Sequence, residues 1–146
     1  MKKIALLIIL CFAGCNKQEA VKSEPLSPDA VKISKFLESS DKDTRKVVYF
    51  LFSGIADYVE RYEGLTNTKE ALALFSTVGK RYGLKSEVFD KMDDGTGEND
   101  CNDVIERRLK AEGFETKKTF DKDVRLKFVA IFREFESGAL DSINKK

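Results

Sequence analysis

The sequence predicts an all-α fold: a single domain of five or six helices packed as an irregular bundle, after an N-terminal signal segment and a flexible tether. Three observations carry this reading. Apolar residues recur at spacings of three and four along most of the chain, the helical period. Serine, aspartate or asparagine stands at the start of these stretches and glycine at several of their ends, the punctuation of helix termini. The length of 146 residues, reduced to 132 when residues 1–14 are set aside, suits one domain with a real core.

Taken in order, Ser27-Pro28-Asp29 opens the first helix with an N-cap serine, proline at the first helical position and an acid for the dipole. Val31, Ile33, Phe36 and Leu37 form its apolar side. A second helix runs from about Asp41 to Glu63 and stops at Gly64, with Val48, Leu51, Ile55, Tyr58, Val59 and Tyr62 in helical register. The run from Val47 to Phe52 also suits a buried strand. The helical period beyond Gly54 decides for a helix, apolar nearly all round and therefore central. Asn67 and Glu70 form a capping-box pair for a third helix whose face is Ala71, Leu74, Phe75, Val78 and Tyr82, ending at Gly83.

A short helical piece around Ser86–Met92 leads into the loop from Asp93 to Asn99. The next helix, about Asp100–Glu112, is amphipathic through Cys101, Val104, Ile105 and Leu109 and ends at Gly113. The last covers about Asp121–Ser137. Its main face is Val124, Phe128, Ile131, Phe132 and Phe135, widened by Leu126 and Val129.

The first residues belong to targeting. Met1-Lys2-Lys3 is a positive start, and Ile4 to Ala13 is apolar but shorter than the about 20 residues of a transmembrane helix. Phe12-Ala13-Gly14-Cys15 then resembles the lipobox of bacterial lipoproteins, with Phe12 in place of the usual leucine. The resemblance covers residues 1–15. It implies cleavage after Gly14, a diacylglycerol thioether on Cys15 and an acyl group on the new amino terminus, so that residues 1–14 are the signal peptide. The expected location is the bacterial cell envelope. Asn16 lacks the aspartate that retains many such proteins at the inner membrane of enteric-type bacteria, which favours the outer membrane. Residues 15–27 form the lipidated cysteine and tether, and 28–146 the helical domain. The eleven residues 16–26 reach at most about 35–40 Å when extended.

Composition narrows the chemistry. Without Lys2 and Lys3 the 26 basic residues become 24, against 25 acidic ones, so the mature chain is close to neutral and offers no nucleic-acid footprint. The chain has no histidine. Histidine triads, histidine general bases and the common zinc sites are thereby excluded. Cys101 remains once Cys11 is removed and Cys15 lipidated, so no intramolecular disulfide forms in the domain. A helix start favours a thiolate at Cys101, but Glu98, Asp100 and Asp103 oppose it, and its apolar neighbours Val104 and Ile105 point to a core cysteine, with an intermolecular disulfide as the alternative.

Two S-x-x-K spacings, Ser39 to Lys42 and Ser142 to Lys145, suggest serine–lysine dyads but lack companion motifs. The acidic segment Asp90, Asp93, Asp94, Glu98, Asp100 and Asp103 surrounds Gly95 and Gly97. Read as an EF-hand it departs from the pattern, with Met92 and Cys101 at ligand positions, so a solvated loop with no metal and no cofactor is expected, and calcium-dependent folding of the loop is the lesser alternative. Six carboxylates would instead attract a basic partner surface. The expectation is a lipid-anchored interaction module of inhibitor, immunity, exclusion or assembly-accessory type, binding another envelope or exported protein through that segment. The alternative is a small carboxylate-based hydrolase of cell-wall glycan.

Overall fold

The computed structural model describes residues 24–62, 64–67, 69–71, 73, 92, 100–117 and 119–146. Over these residues the chain is an all-helical, single-domain bundle. Four α-helices are described in full: α1 (Pro28–Leu37), α2 (Lys42–Arg61), α3 (Cys101–Ala111) and α4 (Lys122–Asn144), with a short 3₁₀ turn at Phe114–Thr116. The expected faces at Leu74, Phe75, Val78 and Tyr82, the stop at Gly83 and the piece from Ser86 to Lys91 lie outside the described residues, as do Cys15 and the tether before Glu24.

Each start follows from a side chain that accepts a backbone N–H which the helix itself cannot satisfy. Ser27 Oγ accepts from Ala30 at 3.2 Å, Asp41 from Thr44 at 2.8 Å, Asp100 from Asp103 at 2.7 Å and Asp121 from Val124 at 2.9 Å. The Asn67–Glu70 pair forms in modified shape. Asn67 accepts the Glu70 N–H at 3.0 Å, but the Glu70 carboxylate reaches back to the N–H of Thr66. Gly113 ends the α3 segment with φ +70°, left-handed backbone that glycine adopts without steric cost.

Packing corrects four expectations. Val31 is exposed, because the buried stripe of α1 is Ala30, Ile33, Ser34 and Leu37. α2 is one-sided rather than apolar all round. Its inner face is Val48, Leu51, Phe52, Ile55, Ala56 and Val59, while Phe50 is 61% exposed, and Tyr62 stands outside as well. Leu126 is likewise exposed. Finally, α4 does not stop at Ser137 but continues through Gly138 to Asn144. Gly138 is a packing position: a Cβ there would lie 2.9 Å from the Cα and carbonyl carbon of Ala30, and closer still to the carbonyl oxygen. The glycine therefore lets α1 and α4 meet backbone to backbone.

α4 is the central element, in contact with both α1 and α2. It runs antiparallel to α2. Arg133 of α4 meets Asp57 and Glu60 near the end of α2, and Arg45 near its start donates to the Ser142 carbonyl at 2.8 Å. The core is a chain of phenylalanine rings. Phe128 stacks on Phe132 at 4.7 Å and receives the edges of Phe114 and Phe120 at 5.5 and 5.9 Å. Phe52 and Phe135 continue the cluster beyond Phe132. Arg108 pins its rim, donating to Asp29 at 2.8 Å, to both carboxylate oxygens of Glu134 at 3.1 Å, and to Glu112 at 3.2 Å.

Candidate functional site

Of the six acidic residues expected to face a partner, Asp100 and Asp103 are described; Asp90, Asp93, Asp94 and Glu98 lie outside the described residues. Asp100 does not fit the expectation. It is 2% exposed and spends its carboxylate on capping α3. A buried cap is a helix part, and its removal would leave a backbone donor without a partner. Asp103, one turn on, is partly exposed and pairs with Arg107 at 2.5 Å.

Cys101 follows the cap directly. Its side chain is fully buried, and burial, reinforced by the charge of Asp100, pushes the thiol well above the ordinary range. The core reading of this cysteine is the one the packing supports. The native protein should therefore resist an aqueous thiol reagent at pH 8 and react at Cys101 only on unfolding. Fast modification of the native chain, mapped to Cys101 by peptide analysis, would contradict this burial.

Along α3 the structure places a feature that the sequence reading missed. Asn102, Ile105, Glu106 and Leu109 of α3 line an apolar cavity of about 230 Å³, together with Ala71, Glu115 and Phe132. It falls below the roughly 300–1,000 Å³ of small-molecule sites. Its size and walls suit one large apolar side chain. Glu106 and Glu115 are exposed and stand at its border, so the rim is acidic. The helical period does mark Ile105, Leu109 and Phe132 as apolar-face residues. It cannot show that they converge from separate helices around a gap.

A larger groove, about 790 Å³, lies between residues 24–27 and the second half of α4. Two of the three carboxylates in its wall are already engaged, Glu134 with Arg108 and Asp141 with Ser34 and Lys145, while Glu24 is exposed.

Neither S-x-x-K spacing forms a dyad. Ser39 donates to the Phe36 carbonyl and the buried Ser142 to the Ala139 carbonyl. Lys145 reaches a different serine, donating to Ser34 Oγ at 3.2 Å, while Ser34 donates to Asp141 at 2.5 Å. This is not a nucleophile with its base. Ser34 is fully buried. Lys145 is held protonated by hydrogen bonds from its ammonium to Glu38 and Asp141. A lysine so held cannot take a proton from a hydroxyl. The cluster is a latch joining α1 to the end of α4.

The latch sets a pH dependence. The Ser34 hydroxyl first, then Lys145, lowers the Asp141 pKa below its ordinary value. Its contribution is thus present above the unfolded value of about 3.9 and is lost as pH falls through the lower folded value. The raised Lys145 works in the other direction. Its contribution is complete below about 10.4 and is lost as pH rises through the higher folded value. Melting temperatures taken from pH 2 to 7 should fall at the acid end, and Asp141→Asn should flatten that fall. Parallel curves for the two proteins would exclude Asp141 as a contributor.

Among the described residues, no group of histidine, cysteine and carboxylate side chains is placed to hold a metal ion, and no helix is long and apolar enough to cross a membrane. No family model matches the chain, and no curated protein or solved structure matches it either.

Proposed function

We propose that the chain is a lipid-anchored binding module of the bacterial envelope, whose helical domain holds another envelope or exported protein. The observation that carries the binding role is the acidic rim of the cavity beside α3. Glu106 stands at an apolar cavity sized for a side chain, with Glu115 also on its border. Apolar pockets ringed by solvated charge are how protein surfaces anchor a projecting residue while steering the approach of the partner. Asp90, Asp93, Asp94 and Glu98, just before α3 in sequence, would extend the acidic field. Asp100 has no part in it. The anchor is the lipobox-like Phe12-Ala13-Gly14-Cys15, since two or more acyl chains hold a protein stably on a bilayer.

The partner chemistry that fits is a basic surface bearing one exposed large apolar residue. The test is affinity capture from detergent-solubilised envelope with lipidated protein. The wild type is compared with a variant whose Asp90, Asp93, Asp94 and Glu98 are amides, and with Glu106→Lys. A stoichiometric partner should bind the wild type and bind either variant about tenfold more weakly, with the difference shrinking at high salt. Equal capture by all three, with unchanged helical circular dichroism, would dispose of the acidic surface.

A second reading, hydrolysis of cell-wall glycan by paired carboxylates, draws on Glu106 and Glu115 bordering one cavity. The cavity is small and apolar-walled for a sugar chain, which places this reading behind binding. Release of reducing sugars from purified cell wall, abolished by Glu106→Gln, would reverse the order.

A further inference from the structure

The outer face of α2 carries an exposed phenylalanine within an ordered run of charges. Phe50 is 61% exposed there, beside the half-buried Val47 and Gly54, and its ring is held by the edge of Tyr49 at 5.3 Å. A single exposed apolar residue requires no explanation. The charge order around this one does.

Asp43 stands seven residues before Phe50 and Arg61 seven after Gly54, a spacing that returns to the same face of a helix. Lys46 lies four residues before Phe50 and Asp57 three after Gly54. Along the face the order is therefore acid, base, phenylalanine, glycine, acid, base. Reversed in direction, this series is its own complement. Laid antiparallel on a second copy, Phe50 falls opposite Gly54, Asp43 opposite Arg61, and Lys46 beside Asp57. A parallel arrangement would set like charge against like.

We propose that two copies of the chain pair through α2 in an antiparallel, two-fold contact centred between Phe50 and Gly54. Such a contact is isologous, so every pair occurs twice. Phe50 fills the space that Gly54 leaves by having no side chain. Asp43–Arg61 is the decisive ion pair. The Asp43 side chain is 93% exposed with Lys46 as a distant neighbour at 4.0 Å, and Arg61 is exposed with no ion pair among the described residues. Asp57 already serves Arg133, so its pairing with Lys46 would be shared. One helix pair buries less than the roughly 1,200–2,000 Å² of a stable interface. The dimer is accordingly weak in solution and gains from confinement on a membrane. That last gain rests on the lipid-anchor reading; the contact does not.

The test is sedimentation equilibrium of the full chain in density-matched non-ionic detergent, up to near-millimolar concentration. The wild type should show a monomer–dimer equilibrium. Phe50→Asp should weaken it by more than about tenfold. Asp43→Arg and Arg61→Asp should each weaken it about tenfold, and the double variant D43R/R61D should recover most of the loss. Circular dichroism of each variant checks that the exposed substitutions leave the fold intact. A wild type that stays monomeric throughout overturns the proposal. So does a dimer indifferent to Phe50→Asp and the charge swaps, or a heterologous protein that binds Phe50 while the chain itself is monomeric. Failure of the acidic-surface capture experiment leaves this result untouched, because none of these substitutions alters the α3 rim.

Discussion

Replacing Gly138 by alanine should lower the melting temperature by about 10 °C, although the same change in a free helix would stabilise it. Alanine gains about 1 kcal/mol over glycine in a helix interior. Against this, the added methyl group meets the backbone of Ala30, with the Cα and carbonyl carbon at 2.9 Å and the carbonyl oxygen nearer. A side chain could rotate away; a backbone in α1 cannot, so the two helices must separate. Overpacking of a well-filled site costs typically 1–3 kcal/mol and more where nothing yields. A net loss of about 2–3 kcal/mol translates to roughly 10 °C for a domain of this size. Gly138→Val should be worse. The control is Ala130→Gly on the exposed side of α4, which should cost about 1 kcal/mol by helix propensity alone. Thermal melts showing Gly138→Ala at or above the wild type would mean that α1 and α4 are not in backbone contact.

Gly138 also shows where sequence reasoning reached its limit. Glycine after an apolar stretch marks helix ends, and at Gly113 the reading holds. At Gly138 the same residue type serves close approach between helices, and nothing within the neighbouring sequence separates the two uses. Caps were legible because they are local: Ser27, Asp100 and Asp121 each satisfy a donor three residues on. Faces were legible where strong apolar residues define them, as with Cys101, Val104, Ile105 and Leu109. They were misread where small residues carry the stripe. In α1 the buried positions beside Ile33 and Leu37 are Ala30 and Ser34, so the larger Val31 drew the assignment that belonged to them.

The candidate site was less legible still, since its parts are distant along the chain. Asp100 and Asp103 look alike in a list of acids, yet one is a buried cap and the other a partly exposed ion-pair partner. Burial depends on neighbours, and period alone does not supply them. The Ser34–Asp141–Lys145 latch joins residues more than a hundred positions apart, beyond the reach of any spacing rule. Electrostatic distinctions of this kind arise only when tertiary packing fixes which charges share a neighbourhood.

The largest loss of stability is expected for Phe132→Ala, and the variant also separates the two roles of that ring. Phe132 is 2% exposed, stacked on Phe128 at 4.7 Å, and edge-on to Phe52 and Phe135. Truncating a buried phenylalanine costs about 3–5 kcal/mol, and lost ring pairs account for about 0.5–1.5 kcal/mol each within that range. Domains have only about 5–15 kcal/mol of total stability, so the native state should survive at low temperature with a melting point about 10–20 °C lower. Phe132 lines the apolar cavity beside α3, and Phe52 does not. Phe52→Ala should therefore match the stability loss while leaving the cavity wall in place. Partner capture at a temperature where both variants are folded should then fall for Phe132→Ala and hold for Phe52→Ala. Equal loss of capture in the two would assign the effect to global destabilisation and remove the cavity from the binding surface, whereas denaturant melts of matching midpoint with unequal capture would tie recognition to the space beneath Glu106.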